Sequence, residues 1–489
     1  MTKEHNKTPL FDALKEHHQN NVIPFDVPGH KKGVGLKELA DYVGKRVLEI
    51  DVNSMKNLDN LSNPIGVINE AEELMADAYG VDHAFFLING TTSGVQAMIM
   101  SVCGHGDKII LPRNVHKSAI NGVILSGATP VYLTPEINWE LGISTGVSKE
   151  EVKNAIKEHP DAKAIFLINP TYYGTTSNIK GIIDLAHRHG MAVLLDEAHG
   201  AHFGFHPELP SSGMNFGGDM AAVSLHKTGG SLTQSSALLL NEGMIDKNTV
   251  KIILNMTQST SASYLLMSSL DIARKNLVLK GEEIFSRILE LVRRARVEIN
   301  KIDGMYAFSK ELIGSNGIYD FDETKLSINV SRLGITGFQV YDLLRDDYNI
   351  QMELADIHNV LGIISVGDTE EYVDKLIAAL KDISQKYSRD KRIEYKDYIL
   401  ERPQILVSPR EAFYAKTKTL ALKDAEGEIS GESIMVYPPG IPIVTPGEII
   451  TKEIIDYIEF LKAEEGILTG TADPYVDKIK VLMTVTSNK

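Results

Sequence analysis

The stretch Ser224-Leu225-His226-Lys227-Thr228-Gly229-Gly230 follows the apolar run Met220–Val223, and it predicts a lysine at the end of a buried strand. The glycines after it allow other groups to come close in the turn. Burial disfavours the ammonium form, and a neutral amine can form a Schiff base with an aldehyde. The alternative is a surface lysine whose stem covers apolar residues. The neighbouring segments decide between these two interpretations.

The chain has 489 residues, 43% of them hydrophobic, and a formal net charge of -15. This length predicts two or three domains. The acidic balance argues against a nucleic-acid partner and suits either a cationic small molecule or plain solubility. A single cysteine, Cys103, excludes an internal disulfide and predicts a cytoplasmic protein. No apolar run approaches the length of a membrane span, so we expect no membrane partner.

From about residue 65, short apolar runs alternate with helix-like segments. This alternation predicts an α/β fold with a mostly parallel sheet covered on both faces. In such sheets ligands bind beyond the carboxyl ends of the strands. The runs that predict buried strands are residues 84–88, 108–111, 130–133, 164–168, 192–195 and 221–224.

The residues directly after these runs are therefore candidates for a binding site. Thr91, Thr92 and Ser93 precede a helical pattern, which predicts a phosphate site at a helix N-terminus. An ordinary N-cap would account for one of these hydroxyl residues but not for three. His116 follows the second run, and it either caps the next helix or stacks on a planar ring.

Asp196 directly follows the fifth run, where a carboxylate is desolvated and needs a cationic partner. A protonated pyridine nitrogen is such a partner. A metal site formed by Asp196, His199 and His202 is the alternative, but Lys227 chemistry needs no metal and we expect none. The order of phosphate loop, carboxylate and lysine on successive strand ends predicts pyridoxal 5'-phosphate as the cofactor.

Several motifs resemble those of the bacterial ornithine/lysine/arginine decarboxylases, which have the aspartate-aminotransferase fold (fold type I). The resemblance runs nearly end to end and is closest to the short branch that includes the arginine decarboxylase of Gram-positive polyamine synthesis. We do not expect the N-terminal receiver-like wing of the longer members. The motifs are residues 28–31 (PGHK), 196–199 (DEAH), 224–227 (SLHK), 437–442 (YPPGIP) and 446–448 (PGE).

The resemblance implies pyridoxal-phosphate-dependent decarboxylation of a basic amino acid. Arginine, giving agmatine for polyamine and spermidine biosynthesis, is preferred over lysine, giving cadaverine, or ornithine, giving putrescine. An aminotransferase or aldolase on the same fold is a more distant alternative, in which Arg332 or Arg410 would bind the substrate carboxylate. A third hypothesis is a catalytically silent regulator that binds the cofactor.

The resemblance also implies roles for individual residues. Lys227 would hold the cofactor covalently, Asp196 would pair with the ring nitrogen, and His116 and Ala198 would contact the two ring faces. Lys227 or His226 would return a proton to the substrate Cα. The residues implied to hold the phosphate are Thr91, Thr92, Ser224 and His226, and Ser93 and His199 complete the expected cofactor site.

The expected domains are an N-terminal arm (1–40), a large cofactor domain (41–268), a small α/β domain (269–390) and a C-terminal α+β decarboxylase domain (391–489). Glu432 is our first candidate for binding the distal cation of the substrate, with Asp59 and Glu353 behind it. A solvated surface acid is the alternative for each. The family implies a homodimer or a dimer of dimers, with the active site at the dimer interface.

Overall fold

The computed structural model of the protein describes residues 4–387, 404–436, 440–464 and 466–483. In these ranges the α-helices are α1 Pro9–Gln19, α2 Lys37–Val43, α3 Lys45–Glu49, α4 Val67–Tyr79, α5 Gly90–Val102, α6 Lys117–Ser126, α7 Lys149–Glu158, α8 Ile179–His187, α9 Leu225–Thr228, α10 Lys247–Thr257, α11 Tyr264–Ile299, α12 Gly337–Tyr348, α13 Glu370–Tyr387, α14 Pro409–Tyr414 and α15 Lys452–Ala463.

The strands of the same ranges are β1 His83–Leu87, β2 Lys108–Pro112, β3 Thr129–Leu133, β4 Glu136–Asn138, β5 Ile143–Gly146, β6 Ala164–Ile168, β7 Thr175–Thr176, β8 Ala192–Glu197, β9 Met220–Val223, β10 Ser236–Leu240, β11 Tyr306–Ala307, β12 Asp320–Phe321, β13 Lys325–Asn329, β14 Leu354–Ala355, β15 Asn359–Ile363, β16 Thr417–Ala421, β17 Ile434–Val436, β18 Ile441–Val444, β19 Leu468–Thr469 and β20 Lys478–Leu482.

The chain divides into two compact units, each built from separate stretches of sequence. The division passes through β8 and α11, so both elements contribute to both units. The domain boundaries expected from the sequence follow chain order and stay a prediction; the last of them, at residues 390 and 391, lies outside the described residues. The first unit is Met1–Ser101, Leu194–Arg287 and Ser365–Gly367, and the second is Val102–Val193, Ile288–Ile364 and Asp368–Lys489.

Four strands of the first unit form a sheet in the order β1, β10, β9, β8. Strand β10 is antiparallel to both β1 and β9, and β9 is parallel to β8. Strands β1, β9 and β8 therefore run in one direction and only β10 is reversed. Because their carboxyl ends meet at one edge, the segments that follow β1, β8 and β9 lie together there.

The second unit contains a parallel sheet in which β2 pairs with both β3 and β6. All six apolar runs that predicted strands are strands, and the mostly parallel α/β fold is confirmed. Strand β10 was not predicted, although four of its five residues are apolar. An apolar run shows burial, but it carries no sign of strand direction.

The later part of the second unit is antiparallel. A four-stranded sheet has the order β11, β13, β15, β14, and a three-stranded sheet has the order β18, β17, β19. Helix α12 begins with a capping box, in which Thr336 and Gln339 satisfy each other's backbone N–H groups. Helix α15 contributes Ile454, Ile455 and Ile458 to the core beneath the three-stranded sheet.

In the part of the chain that the structure describes, no helix combines the length and the apolar character that crossing a membrane requires.

Candidate functional site

The turn after β1 places hydroxyl groups at the N-terminus of α5. Gly90 opens the helix with a φ of +69°, a conformation that glycine adopts without strain, and its N–H donates to Gln234 O at 2.9 Å. Thr91 Oγ1 lies 3.0 Å from Ser224 Oγ, across the ends of β1 and β9. A helix N-terminus and two facing hydroxyls are suited to bind an anion such as a phosphate.

The other hydroxyl groups near this turn have different environments. Ser93 Oγ donates to Gly90 O at 2.9 Å and so stabilises the first turn of α5, whereas Thr92 is exposed. Two neighbouring hydroxyls, Thr228 Oγ1 and Ser236 Oγ, are buried and have no hydrogen-bond partner among the described residues. Since a buried polar group is normally satisfied, these orphaned atoms point to a missing polar ligand or water.

Lys227 lies in the short helix α9, four residues beyond the end of β9, whereas the sequence predicted a position at the strand end itself. Its Nζ is 2.8 Å from His199 Nε2. A protonated amine donates to that nitrogen only when Nε2 carries no proton. His199 is therefore placed to accept the proton that Lys227 must lose to become a nucleophile.

Asp196 lies in the same region, near the carboxyl end of β8. Its side chain is buried, and Oδ1 accepts a hydrogen bond from Ala198 N at 3.1 Å. Burial raises the pKa of Asp196, while the Ala198 N–H and the charge of Lys227 act in the opposite direction. A cationic group bound against this carboxylate would stabilise its charged form further.

His226 is half-buried, and its Nδ1 donates to Ser235 O at 3.0 Å. Burial lowers the pKa of His226, and Lys227 lowers it further, whereas the bond to Ser235 acts against both. The neutral imidazole is then favoured, with its hydrogen on Nδ1 and with Nε2 as an acceptor. To donate from Nε2, the ring must first be protonated, for example beside a bound phosphate.

His116 belongs to the second unit, where it precedes α6. Its Nδ1 accepts from Ser118 N at 3.2 Å and lies 2.8 Å from Ser118 Oγ. The capping alternative is therefore confirmed. Capping also fixes the plane of the imidazole ring, so it is compatible with stacking, which stays a prediction.

The alternative metal site finds no support among the described residues, where no cluster of three or more His, Cys, Asp or Glu could hold an ion. His202, one of its three candidate ligands, packs against the rings of Phe203 and Phe285, with centroids 5.0 and 5.3 Å away. A histidine between two aromatic rings fills the core.

The three candidate substrate acids have separate surroundings. In the first unit, the Asp59 carboxylate accepts from several backbone N–H groups, including those of Ile65 and Gly66. Burial alone would raise the pKa of Asp59, but these hydrogen bonds lower it below the usual value. In the second unit, Glu432 accepts from two backbone N–H groups, whereas Glu353 is exposed. Their contact with a substrate stays a prediction.

Two polar residues that the sequence did not single out hold the free edge of β1. Glu72 Oε1 accepts from Phe86 N at 2.8 Å, and Gln258 Oε1 accepts from Ile88 N at the same distance. They replace the missing neighbouring strand just before the Gly90 turn. No sequence signal identifies them, because polar residues on helices are common and only the pairing of β1 reveals an unpaired edge.

Comparison with known proteins gives a consistent assignment. The family model described as "Orn/Lys/Arg decarboxylase, major domain" matches residues 8–372, and the model of the C-terminal domain of the same family matches residues 394–471. The chain is 46% identical to the arginine decarboxylase of Bacillus subtilis (strain 168) over 480 residues, which cover 97% of this chain and 98% of that protein.

A second relative, the arginine decarboxylase of Halalkalibacterium halodurans, is 47% identical over 455 residues, covering 92% of this chain and 93% of that protein. Among solved structures, the E. coli constitutive lysine decarboxylase superposes with a TM-score of 0.84 at 20% identity, covering 98% of this chain and 82% of that one. The likeness to the E. coli structure establishes a shared fold.

Proposed function

Because the chain belongs to the Orn/Lys/Arg decarboxylase family, we propose that it is a pyridoxal-phosphate-dependent decarboxylase that converts arginine to agmatine and carbon dioxide. The observation that carries this proposal is the arrangement at one sheet edge of the first unit. Lys227 follows β9, the buried carboxylate of Asp196 belongs to the last residue but one of β8, and the Thr91 turn follows β1. These are an amine, a counter-charge and an anion site on one edge.

The residues present fit pyridoxal phosphate. The hydroxyls of Thr91 and Ser224 face each other at 3.0 Å, and Thr228 supplies a buried hydroxyl that lacks a partner among the described residues. Asp196 offers a buried carboxylate to a protonated ring nitrogen. When bound, the cofactor supplies an electron sink for the electrons of the broken Cα–carboxylate bond.

The chain's own residues manage charge and protons in this proposal. Asp196 would keep the ring nitrogen of a bound cofactor protonated, because a pair of opposite charges is stabilised in a buried environment. Lys227 would hold the cofactor through Nζ, and its proton would pass to His199 Nε2, which lies 2.8 Å away. Lys227 or His226 would return a proton to the substrate Cα; burial favours the neutral form of His226, whose hydrogen then lies on Nδ1 and is donated to Ser235 O.

Arginine is the proposed substrate because the relatives that match over 90% or more of the chain at 46–47% identity are named arginine decarboxylases. Lysine decarboxylases match at 24–25% identity. Lysine and ornithine remain the alternative substrates. For the aminotransferase alternative, Arg410 offers little, since its guanidinium donates to Leu125 O at 2.6 Å and Ile124 O at 3.2 Å.

We also propose a cytoplasmic homodimer that feeds polyamine synthesis. The apolar surface of the N-terminal arm supports the homodimer, because this surface is exposed to solvent in a single subunit. Large exposed apolar side chains on a soluble protein mark an interaction surface. They include Ile23, Phe25 and Val34, which are 77%, 95% and 82% exposed.

The decisive experiment incubates the purified protein and pyridoxal phosphate with arginine, lysine or ornithine, and measures carbon dioxide and the amine product. We expect agmatine to form fastest and the Lys227→Ala variant to form none. Faster release of cadaverine or putrescine would leave the chemistry intact and overturn the choice of substrate. Absence of carbon dioxide with all three amino acids would reject the decarboxylase.

A further inference from the structure

Strand β1, which leads into the Gly90 turn, is the end strand of its sheet. In the described part of the chain it pairs with β10 on one side only. On the open side, Gln258 Oε1 accepts from Ile88 N at 2.8 Å, and Gln258 Nε2 donates to Phe86 O at 3.3 Å. One residue of a parallel neighbouring strand would bond to the same two backbone groups. The Gln258 amide therefore takes the place of a strand at the end of β1.

Gln258 is itself fixed in place. Its backbone N–H closes the last turn of α10 by donating to Leu254 O at 2.8 Å. Three residues earlier, Asn255 Nδ2 donates to Ser62 O at 2.9 Å and ties α10 to the segment before α4. Because its backbone ends a helix and both polar atoms of its side chain are bonded, Gln258 has little freedom to move away from β1.

The Gln258 contact lies two residues before the Gly90 turn. On the other side of that turn, Gly90 N donates to Gln234 O at 2.9 Å. Gln234 has a φ of +81°, a conformation that residues other than glycine rarely adopt. The turn is therefore held on one side by the segment before β10 and on the other by Gln258, through Ile88 N.

Helix α5 packs directly on the strands that precede the turn. A Cβ atom at Gly94 would lie 2.7 Å from Leu87 Cδ1 and 3.2 Å from Ala222 Cβ, so the helix touches both β1 and β9. Closely packed elements move together. A displacement of the end of β1 would therefore also displace the first turn of α5, where Thr91 lies.

We propose that Gln258 is a positioning residue, which fixes the end of β1 so that the Gly90 turn and the Thr91 hydroxyl lie where the phosphate of the cofactor binds. This inference rests on the proposed function, since it assumes that this turn binds the phosphate. Gln258 acts through the strand and does not touch the cofactor. It contributes to the preference for pyridoxal phosphate over pyridoxal, which has the same ring and aldehyde but no phosphate.

The test is a titration of full-length apoprotein with pyridoxal phosphate and, separately, with pyridoxal. Gln258→Met keeps the length of the side chain and loses both hydrogen bonds to β1. We expect it to raise the Kd of pyridoxal phosphate about tenfold, as for the loss of one buried hydrogen bond, and to leave the Kd of pyridoxal unchanged. Absorbance and visible circular dichroism measure binding. An equal rise for both ligands, or no rise for pyridoxal phosphate, would overturn the inference.

Two further variants separate positioning from general stability. Asn241 Nδ2 donates to Gly218 O at 2.9 Å and to Met214 O at 3.3 Å at the opposite end of the sheet, so Asn241→Leu should lower the Tm with both Kd values unchanged. A selective rise for Asn241→Leu as well would reduce the effect to stability. Gln258→Ala admits water to Ile88 N, so it should give a smaller rise with the same selectivity, and it replaces Gln258→Met should that variant not fold.

An apoprotein readout distinguishes failure of this inference from failure of the proposed function. Hydrogen exchange at the amides of residues 88–92 should be faster in Gln258→Met than in the unmodified protein. If the unmodified protein binds neither pyridoxal phosphate nor pyridoxal, the proposed function fails and the inference fails with it. Unchanged exchange in a protein that binds both ligands would reject the positioning role alone.

Discussion

Lys227 Nζ lies 2.8 Å from His199 Nε2, although the two residues are 28 positions apart in the sequence. The contact joins the segment after β8 to the short helix after β9. It makes His199 a partner of the nucleophile and not only a residue near the cofactor.

Replacing His199 with alanine should lower kcat by about a hundredfold, because Lys227 loses the nitrogen that accepts its proton. Steady-state rates of carbon dioxide release across pH 6–9 measure the effect. His206→Gln is the matched control, since His206 contacts Ser286 Oγ at 3.1 Å and has no assigned chemistry. Equal rates for His199→Ala and His206→Gln would contradict the role of His199.

Replacing Asp196 with asparagine should lower kcat by about 10²- to 10³-fold. The amide keeps the size of the side chain and can still accept from Ala198 N, but it has no charge to stabilise a protonated ring nitrogen. Cofactor content, measured by absorbance, controls for simple loss of binding. A variant that holds its cofactor and retains full kcat would show that the carboxylate charge is dispensable.

Glu72 predicts a specific pH dependence of stability. Burial raises the pKa of Glu72 to about 8, with Asp59 adding to the rise, while Phe86 N and Lys251 oppose it. The folded-state pKa is above the unfolded value of 4.5, so the favourable contribution is complete below pH 4.5 and is lost as pH rises to about 8.

Glu72→Gln removes this titration and keeps an acceptor for Phe86 N. The free energy of unfolding of the variant relative to the unmodified protein should therefore increase by about 1.4 kcal/mol per pH unit between pH 5 and 8. Thermal melts of both proteins at several pH values measure the difference. A difference in Tm that stays constant with pH would refute the raised pKa.

Gly447 and Gly427 both have a positive φ, so alanine substitutions at the two positions distinguish the cost of a steric clash from the cost of the backbone conformation. Gly447→Ala should destabilise the protein by about 3–5 kcal/mol, because the new methyl group meets Val407 O at 2.0 Å. Gly427 has a φ of +77° and open space around it, so Gly427→Ala should cost only about 1 kcal/mol. Chemical denaturation measures both; similar losses would mean that the turn around Gly447 relaxes.

Much of the fold could be predicted because its signals are local. Each of the six apolar runs is long enough for a strand, and their alternation with helical segments specifies a parallel sheet. The same reasoning places Lys227 and Asp196 near the carboxyl ends of buried strands, although β8 extends two residues beyond the apolar run and includes Asp196, and Lys227 lies four residues beyond β9. Strand β10 has the same local signal, since four of its five residues are apolar, but it was not predicted; only its reversed direction has no local signal.

The sequence by itself determined the strands, the residues that follow them and, through motif resemblance, the family. Only the tertiary structure decided which of those residues meet: Thr91 with Ser224, His199 with Lys227, and Arg113 with Glu448. The physical reason is range. Burial patterns and turn residues act over a few positions, whereas a hydrogen bond between residues 335 positions apart depends on how the whole chain packs.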